Sequence, residues 1–221
     1  MCFSAEADIV TGVIVTVVGI DSLRHVGHGR ESAMAALPIL FGLHQLIEVP
    51  VWWGLEGGVA PGLAAGAAWL YLAIAFGVIP WAVPYAVRLL ETDQDRRALM
   101  SPLLGLGIVV AGVLMFAIIN APIVVVDGGN HLDYSVSLGF GGLITVLYVV
   151  ATCGALLLSS ERVAVIHGGV NLIAVAALAA LLATGVISLW CLWAAVTSIA
   201  IAIHLRRIHG RPRFEVALSG A

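Results

Sequence analysis

Three polar side chains interrupt the second hydrophobic stretch of the sequence, which reads AMAALPILFGLHQLIEVPVWWG over residues 33–54. On a helix, His44 and Glu48 are four residues apart and Gln45 and Glu48 are three apart, so all three project from one face. A carboxylate at membrane depth is costly and usually faces a bundle interior or a wet cavity. We therefore expect Glu48 to face the interior of a helix bundle and to lie at the functional centre.

This pattern suits two kinds of chemistry. A Glu beside a His in a site of low dielectric can act as an acid/base pair. The same side chains can also ligate zinc or another transition metal if Cys and His residues reach them from other segments. A third interpretation is a buried, hydrogen-bonded His–Glu pair that only locks helices together. The sequence contains no HExxH, GxSxG or P-loop motif that would decide between them.

The composition indicates a membrane protein. Of the 221 residues, 61% are hydrophobic and only 10% are charged, whereas soluble domains average about 45–50% apolar and about 25% charged residues. We expect a single transmembrane domain over residues 1–221 of a multi-pass protein of the cell membrane, with the lipid bilayer as its surroundings. Other membrane subunits are open as partners, and no nucleic-acid partner is expected. The sequence has no Lys, which excludes a Schiff base to retinal.

Seven hydrophobic segments are long enough to cross a bilayer as helices. The predicted fold class is therefore all-α, a bundle of seven transmembrane helices. Pro80 and Pro84 should kink the third helix because proline removes a backbone donor and clashes with the preceding turn. The predicted spans cover residues 5–25, 33–54, 63–90, 98–119, 136–158, 163–184 and 187–205.

The arginines predict the orientation. All ten lie in the connections on one side of the seven predicted spans or after the last span, and the opposite side has none. Under the positive-inside rule that side is the cytoplasm, so the N-terminus is outside and the C-terminus is inside. The arginines are Arg24, Arg30, Arg88, Arg96, Arg97, Arg162, Arg206, Arg207, Arg211 and Arg213.

Polar and metal-capable residues of five segments reach a similar depth near the outer side. The candidate metal ligands are Cys2, His44, Glu48, His131 and Cys191, and Asp133 and Asn120 lie at the same level. Cys2 and Cys191 could instead form a disulfide, since the outer compartment is oxidising. The aromatic residues near the outer span ends, including Trp52, Trp53, Trp69, Tyr71, Trp190 and Trp193, are expected to be interfacial anchors.

The cytoplasmic halves of the predicted spans have fewer polar features. His167 and Asn171 share one face of the sixth span, and His204 comes nearest to His167 in depth. Such a pair is the minimum for a bis-histidine haem, but nothing else in the sequence supports haem. We find no polar trail toward the inner side that would match the outer group, which argues against transport.

The sequence also resembles a known family. The opening MCFSA, the run ALPILFGLHQLIEVPVWWGL, the later HLDYS, the ALLLSSER turn and the segment SLWCLWAAVTS are similar to the prokaryotic multi-span "MCFSA" membrane family, a domain of unknown function. The resemblance implies a seven-helix membrane protein without an assigned activity. It also implies that the position of His44 is often Gln, which leaves Gln45 and Glu48 as the stronger candidates. The residues carried over are Cys2, Ser4, Gln45, Glu48, His131, Tyr134, Trp190 and Cys191.

The sequence thus favours a polytopic membrane protein with an outer-facing polar cavity around Glu48 that binds a small ligand or a metal such as zinc. The candidate ligand-binding residues are Ser4, Gln45, Glu48, Tyr134 and Trp190. One alternative is a structural or accessory subunit of a larger membrane complex. A membrane-embedded, metal-dependent hydrolase is the other, and it would need a metal-bound water or an activated nucleophile at the same place.

Overall fold

The computed structural model describes residues 4–129, 131–181 and 186–209 of the chain. A π-helical segment, Ala73–Val78, joins α3 to α4, so that residues 61–90 run as one long helix. A short 3-10 turn, Gly29–Glu31, precedes α2. The helices are α1 (Ala5–Arg24), α2 (Ser32–Leu55), α3 (Pro61–Leu72), α4 (Ile79–Leu90), α5 (Gln94–Asn120), α6 (Gly141–Leu157), α7 (Arg162–Leu181) and α8 (Val186–His209).

Five of these helical stretches are long and apolar enough to cross a membrane, judged by length and composition. They are Gly29–Leu55, Pro61–Leu90, Gln94–Asn120, Arg162–Ala180 and Ile187–His204. Helix α6 is apolar but has only 17 residues. Helix α1 carries Glu6, Asp8, Asp21 and Arg24, which make it more charged than the other candidates. The architecture is therefore helical and membrane-like, as the composition predicts.

A β-hairpin between α5 and α6 is absent from the sequence prediction. Strands β1 (Ile123–Asp127) and β2 (Leu132–Val136) pair antiparallel, with Val125 opposite Tyr134. The fifth span is predicted from about residue 136, and in the structure Val136 ends β2 and the helix begins at Gly141. Alternation along β2 turns Leu132 and Tyr134 toward the helices, where both are buried.

The bundle has two chemically different ends. The hairpin end holds the hairpin, the start of α1 and the end of α2. The arginine end holds the described arginines, and several of them tie helices together there. Arg206 Nε lies 2.8 Å from Asp21 Oδ2, and Arg96 Nη1 donates to the carbonyl oxygens of Leu158 and Ser159 at 3.0 and 3.2 Å.

The π-helical segment shows how the chain accommodates Pro80. The Ile79 amide bonds to the Ile74 carbonyl, five residues back. In that register the Ala75 carbonyl would meet the amide of Pro80, which has no hydrogen. Tyr148 of α6 donates its hydroxyl to this free carbonyl at 2.9 Å. Pro80 thus produces a widened turn, and the free carbonyl of this turn holds Tyr148 of α6 in place through a hydrogen bond.

Helices α1 and α2 are in close contact because small residues face each other between them. A side chain at Gly12 would meet Leu46 and the Gly42 backbone, and one at Gly42 would meet Thr16. In a bilayer, such small residues let helix backbones approach closely. The contact brings the first turns of α1 against the last turns of α2, where the polar side chains of the hairpin end lie.

Candidate functional site

Glu48 lies inside the bundle near the hairpin end, with 1% of its surface exposed. The Tyr134 hydroxyl of β2 donates a hydrogen bond to Glu48 Oε1 at 3.2 Å. Ser188 and Cys191 on α8 and Tyr71 on α3 also lie close to the carboxylate. In the described part of the chain the buried Tyr71 hydroxyl has no hydrogen-bond partner. Three separate elements therefore place polar side chains around a single carboxylate of α2.

Asp8 of α1 is a second buried carboxylate in the same region, with 3% of its surface exposed. Trp52 of α2 donates its indole hydrogen to Asp8 Oδ2 at 2.9 Å. Asp8 and Glu48 are near enough to repel each other when both are charged. Among the described residues, no Arg or His forms an ion pair with either of them. Two neighbouring carboxylates without a basic partner form a site that attracts cations.

Three aromatic rings form a stack beside this pair of carboxylates. The rings of His44 and Tyr71 are 3.9 Å apart at an angle of 20°, and those of Tyr71 and Tyr134 are 4.9 Å apart at 13°. His44 Nε2 lies 2.9 Å from the Tyr71 carbonyl and donates to it. His44 is therefore engaged with the backbone of α3, and within the described chain it forms no pair with Glu48.

Gln45 and His44 each retain unused hydrogen-bonding capacity although both are completely buried. In the described part of the chain, neither the amide oxygen nor the amide nitrogen of Gln45 has a partner, and His44 Nδ1 has none. Buried polar groups of folded proteins nearly always find partners. On α2, Gln45 shares a face with Glu48, so this capacity adds to the polar character of the site.

A cavity of about 420 Å³ adjoins the carboxylate site, and we call it the outer cavity. It lies between the π-helical segment, α5, the hairpin, α6 and α8. Its walls include four aromatic rings and the thiol of Cys191. Glu48 is not exposed in it and lies behind Tyr134 and Cys191. Small-molecule sites are usually cavities of roughly 300–1,000 Å³ with mainly apolar walls. The aromatic residues are Phe76, Tyr134, Tyr148 and Trp190.

The structure leaves other predicted site residues apart from Glu48. Ser4 donates to Glu6 at the exposed start of α1. His131 packs against Gly128 in the hairpin turn, and its Nε2 lies 3.0 Å from Asp133 Oδ1. Asn120 bonds to its own helix and is exposed.

The predicted metal site has little support in the described residues. They include no group of three or more His, Cys, Asp or Glu side chains that could hold a metal ion. Cys2, one of the proposed ligands, lies outside the described residues. Cys191 is buried and is a free thiol. Of the four proposed ligands among the described residues, the structure brings Glu48, His44 and Cys191 into one neighbourhood, and His44 turns its Nε2 toward the Tyr71 carbonyl.

Three residues of the site, Asp8, Tyr71 and Ser188, are not predicted from the sequence. Asp8 lies within the predicted first span, so the cost of a carboxylate in lipid could have marked it as Glu48 was marked. Tyr71 has no such signal, because tyrosines near span ends are usually interfacial anchors. Tyr71 is instead completely buried, and Trp52 is 6% exposed. Trp53, Trp69 and Trp193 are exposed, as anchors would be.

Comparison with known proteins gives a family and no function. The model of a family of unknown function, DUF6629, matches residues 1–215. No curated protein and no solved structure is significantly similar to the chain. The match agrees with the resemblance to a family without an assigned activity.

Proposed function

We propose that the chain, which belongs to the DUF6629 family of unknown function, is a membrane protein that binds a small organic cation in the outer cavity. The cavity wall is joined to a buried carboxylate by the bond from Tyr134 to Glu48, and this bond is the observation that carries the proposal. The binding site is formed by aromatic side chains, with the carboxyl groups of Glu48 and Asp8 behind them.

The choice of a cation rests on charge and on the aromatic walls. No arginine lies at the hairpin end among the described residues, so the buried carboxylates Asp8 and Glu48 are not neutralised by a side chain there. Aromatic faces attract cations, and quaternary ammonium groups are recognised in this way. An amine of moderate size fits a cavity of about 420 Å³. A metal would need more oxygen, nitrogen or sulfur ligands than the described residues assemble.

In the proposed arrangement seven helices cross the cell membrane, with α3 and α4 counted as one. The hairpin end lies outside and the arginine end lies in the cytoplasm. The arginine asymmetry supports this orientation. Helix α1 fits a span despite its charges, because Asp8 is bonded to Trp52 and Asp21 to Arg206. Helix α6, with 17 residues, is at the lower limit of a spanning helix.

The test compares benzyltrimethylammonium with neopentylbenzene, a neutral molecule of the same shape, by thermal unfolding of the purified protein in detergent. The cation should raise the unfolding temperature because a ligand that binds only the folded state stabilises it. Glu48→Gln should weaken binding of the cation about tenfold or more, which corresponds to about 1.4 kcal/mol. Trp190→Phe should also weaken it, whereas Trp193→Phe on the exposed side of α8 should not.

Equal stabilisation by the neutral molecule, or unchanged binding in Glu48→Gln, would show that charge plays no part and would overturn the proposal. Absence of binding by both molecules would favour the accessory-subunit alternative, which requires no ligand. The hydrolase alternative predicts stoichiometric metal in the purified protein, which elemental analysis of the same sample measures.

A further inference from the structure

Three cavities follow one another through the bundle from the hairpin end to the arginine end. The outer cavity is followed by a central cavity of about 50 Å³ and then by an inner cavity of about 70 Å³. Neighbouring cavities share wall residues. Tyr148, Trp190 and Cys191 separate the outer cavity from the central one. Met34, Leu156, His167 and Ile201 separate the central cavity from the inner one.

Polar side chains line the central cavity on two facing helices. Helix α6 contributes Tyr148 and Thr152, one turn apart, and α7 contributes His167 and Asn171, also one turn apart. Asn171 is 4% exposed and donates its amide hydrogen to the His167 carbonyl at 2.8 Å, which leaves its amide oxygen for other donors. A volume of about 50 Å³ with several polar partners is enough for a few ordered waters.

Titratable groups lie near each end of this row of cavities. At the hairpin end, Glu48 lies behind Cys191 and Tyr134. At the arginine end, His204 Nε2 lies 3.9 Å from Glu161 Oε2, and both side chains are partly exposed, at 30% and 45%. Both of these residues line the inner cavity. His167 lines both the central and the inner cavity, and so lies between the two ends.

We propose that this row of cavities is a pathway for protons through the bundle, with His167 as the carrier between Glu48 and the pair His204–Glu161. A neutral imidazole accepts a proton on one nitrogen and releases one from the other, so one proton is moved and the ring returns to neutral. The cargo is a proton because a central cavity of about 50 Å³ is too small for a hydrated ion or an amine. The pathway goes beyond the proposed cation binding. It shares Glu48 and the outer cavity with that proposal, and its inner part rests on the central and inner cavities.

Two contacts narrow the pathway. The rings of Tyr148 and Trp190 meet edge to face with centroids 5.1 Å apart, and the Tyr148 hydroxyl is bound to the Ala75 carbonyl. The apolar side chains of Met34, Leu156 and Ile201 narrow the passage below His167. Titratable and charged groups that share these cavities with His167 are Tyr148 and Cys153 of α6, Cys191 and His204 of α8, Arg30 and Glu31 before α2, and Glu161 before α7.

The experiment measures proton flux into liposomes that contain the purified full chain and the pH dye pyranine. A potassium gradient with valinomycin supplies the driving voltage, and no amine is present. The wild type should take up protons several-fold faster than protein-free liposomes. His167→Phe and Glu48→Gln should each lower this protein-dependent flux about tenfold or more. Ile173→Ala, on the exposed side of the same α7 helix, should leave it unchanged.

Trp190→Ala should raise the flux several-fold, because it opens the contact with Tyr148. The double variant Trp190→Ala/His167→Phe should lose this faster flux. A misfolded protein would not show a flux that Trp190→Ala raises and His167→Phe then abolishes, so the pair of variants distinguishes loss of the pathway from loss of the fold. A wild-type flux equal to that of empty liposomes would overturn the proposal. So would full flux in His167→Phe. Neither result bears on the binding of benzyltrimethylammonium, so the two proposals fail separately.

Discussion

The Tyr134 hydroxyl reaches Glu48 Oε1 at 3.2 Å and so ties the β-hairpin to a carboxylate in the interior of α2. The two residues are 86 positions apart in the chain. The bond has two consequences. It provides a hydrogen-bond donor to a buried carboxylate, and it places the Tyr134 ring on the wall of the outer cavity.

Tyr134→Phe should destabilise the protein while leaving its fold intact. Loss of the hydroxyl removes one donor from a buried acceptor, which costs roughly 0.5–2 kcal/mol in membrane proteins. Glu48→Gln should cost less than about 1 kcal/mol, since the amide oxygen still accepts from Tyr134. Chemical unfolding in detergent micelles measures both. Tyr85→Phe, at an exposed position of α4, is the control and should change little. A Tyr134→Phe protein as stable as the wild type would mean that the bond is not formed.

Gly107→Ala should destabilise the contact between α5 and α4. A β-carbon at Gly107 would collide with the Pro80 carbonyl, which is backbone and cannot move aside easily. We expect a loss of about 1–3 kcal/mol, as for overpacked cores. Gly105→Ala is a matched control on the same helix, because nothing lies within 4 Å of its added β-carbon. If the two variants unfold at the same temperature, α4 and α5 do not pack as closely as the contact between Gly107 and the Pro80 carbonyl requires.

Acid should weaken the connection that Glu91 makes at the arginine end. Burial alone would raise the pKa of Glu91, but hydrogen bonds from Ser160, Asp93 and Thr92 outweigh it and hold the pKa below its ordinary value of 4.5. A carboxyl whose pKa is lowered in the folded state stabilises the fold fully above its ordinary pKa, and this contribution is lost as the pH falls through the lower folded-state value.

Glu91→Gln should therefore be less stable than the wild type from pH 5 to 8, by a constant amount, and the difference should shrink below about pH 4.5. The measurement is the free energy of unfolding against pH. Glu56→Gln, at an exposed position of the hairpin end, is the control variant. If the difference in free energy of unfolding between the wild type and Glu91→Gln grew in acid, the pKa of Glu91 would not be lowered in the folded state.

The orientation can be tested with a reporter that is active only in the cytoplasm. Fused to the C-terminus, it should be active, and fused to the N-terminus it should be silent, because the arginines are expected on the cytoplasmic side. Moving the reporter to the loop at Glu56 should also silence it, and placing it at Asp95 should restore activity. Activity at the N-terminus or at Glu56 would reverse the orientation of the proposed outer cavity.

Much of the architecture follows from the sequence alone. Apolar stretches of bilayer length predict the helices, since a backbone in lipid has to satisfy its own hydrogen bonds. The ends of α1, α2 and α4 lie close to the predicted ends because polar loops punctuate the apolar runs there. The sequence does not predict the hairpin, because residues 123–126 lie in the connection between two predicted spans and a β-branched run of four residues is too short to show a decisive period.

The sequence also marks Glu48, because a carboxylate in an apolar helix is expensive wherever it is not turned inward. It does not show which groups meet that carboxylate. The partners Tyr134, Ser188 and Asp8 come from segments far apart in the chain, and only tertiary packing sets their distances. The same holds for His167, whose one-turn spacing to Asn171 is visible in the sequence but whose place between two cavities depends on α2 and α8. Local periodicity determines which face of a helix is polar, whereas the fold decides what that face meets.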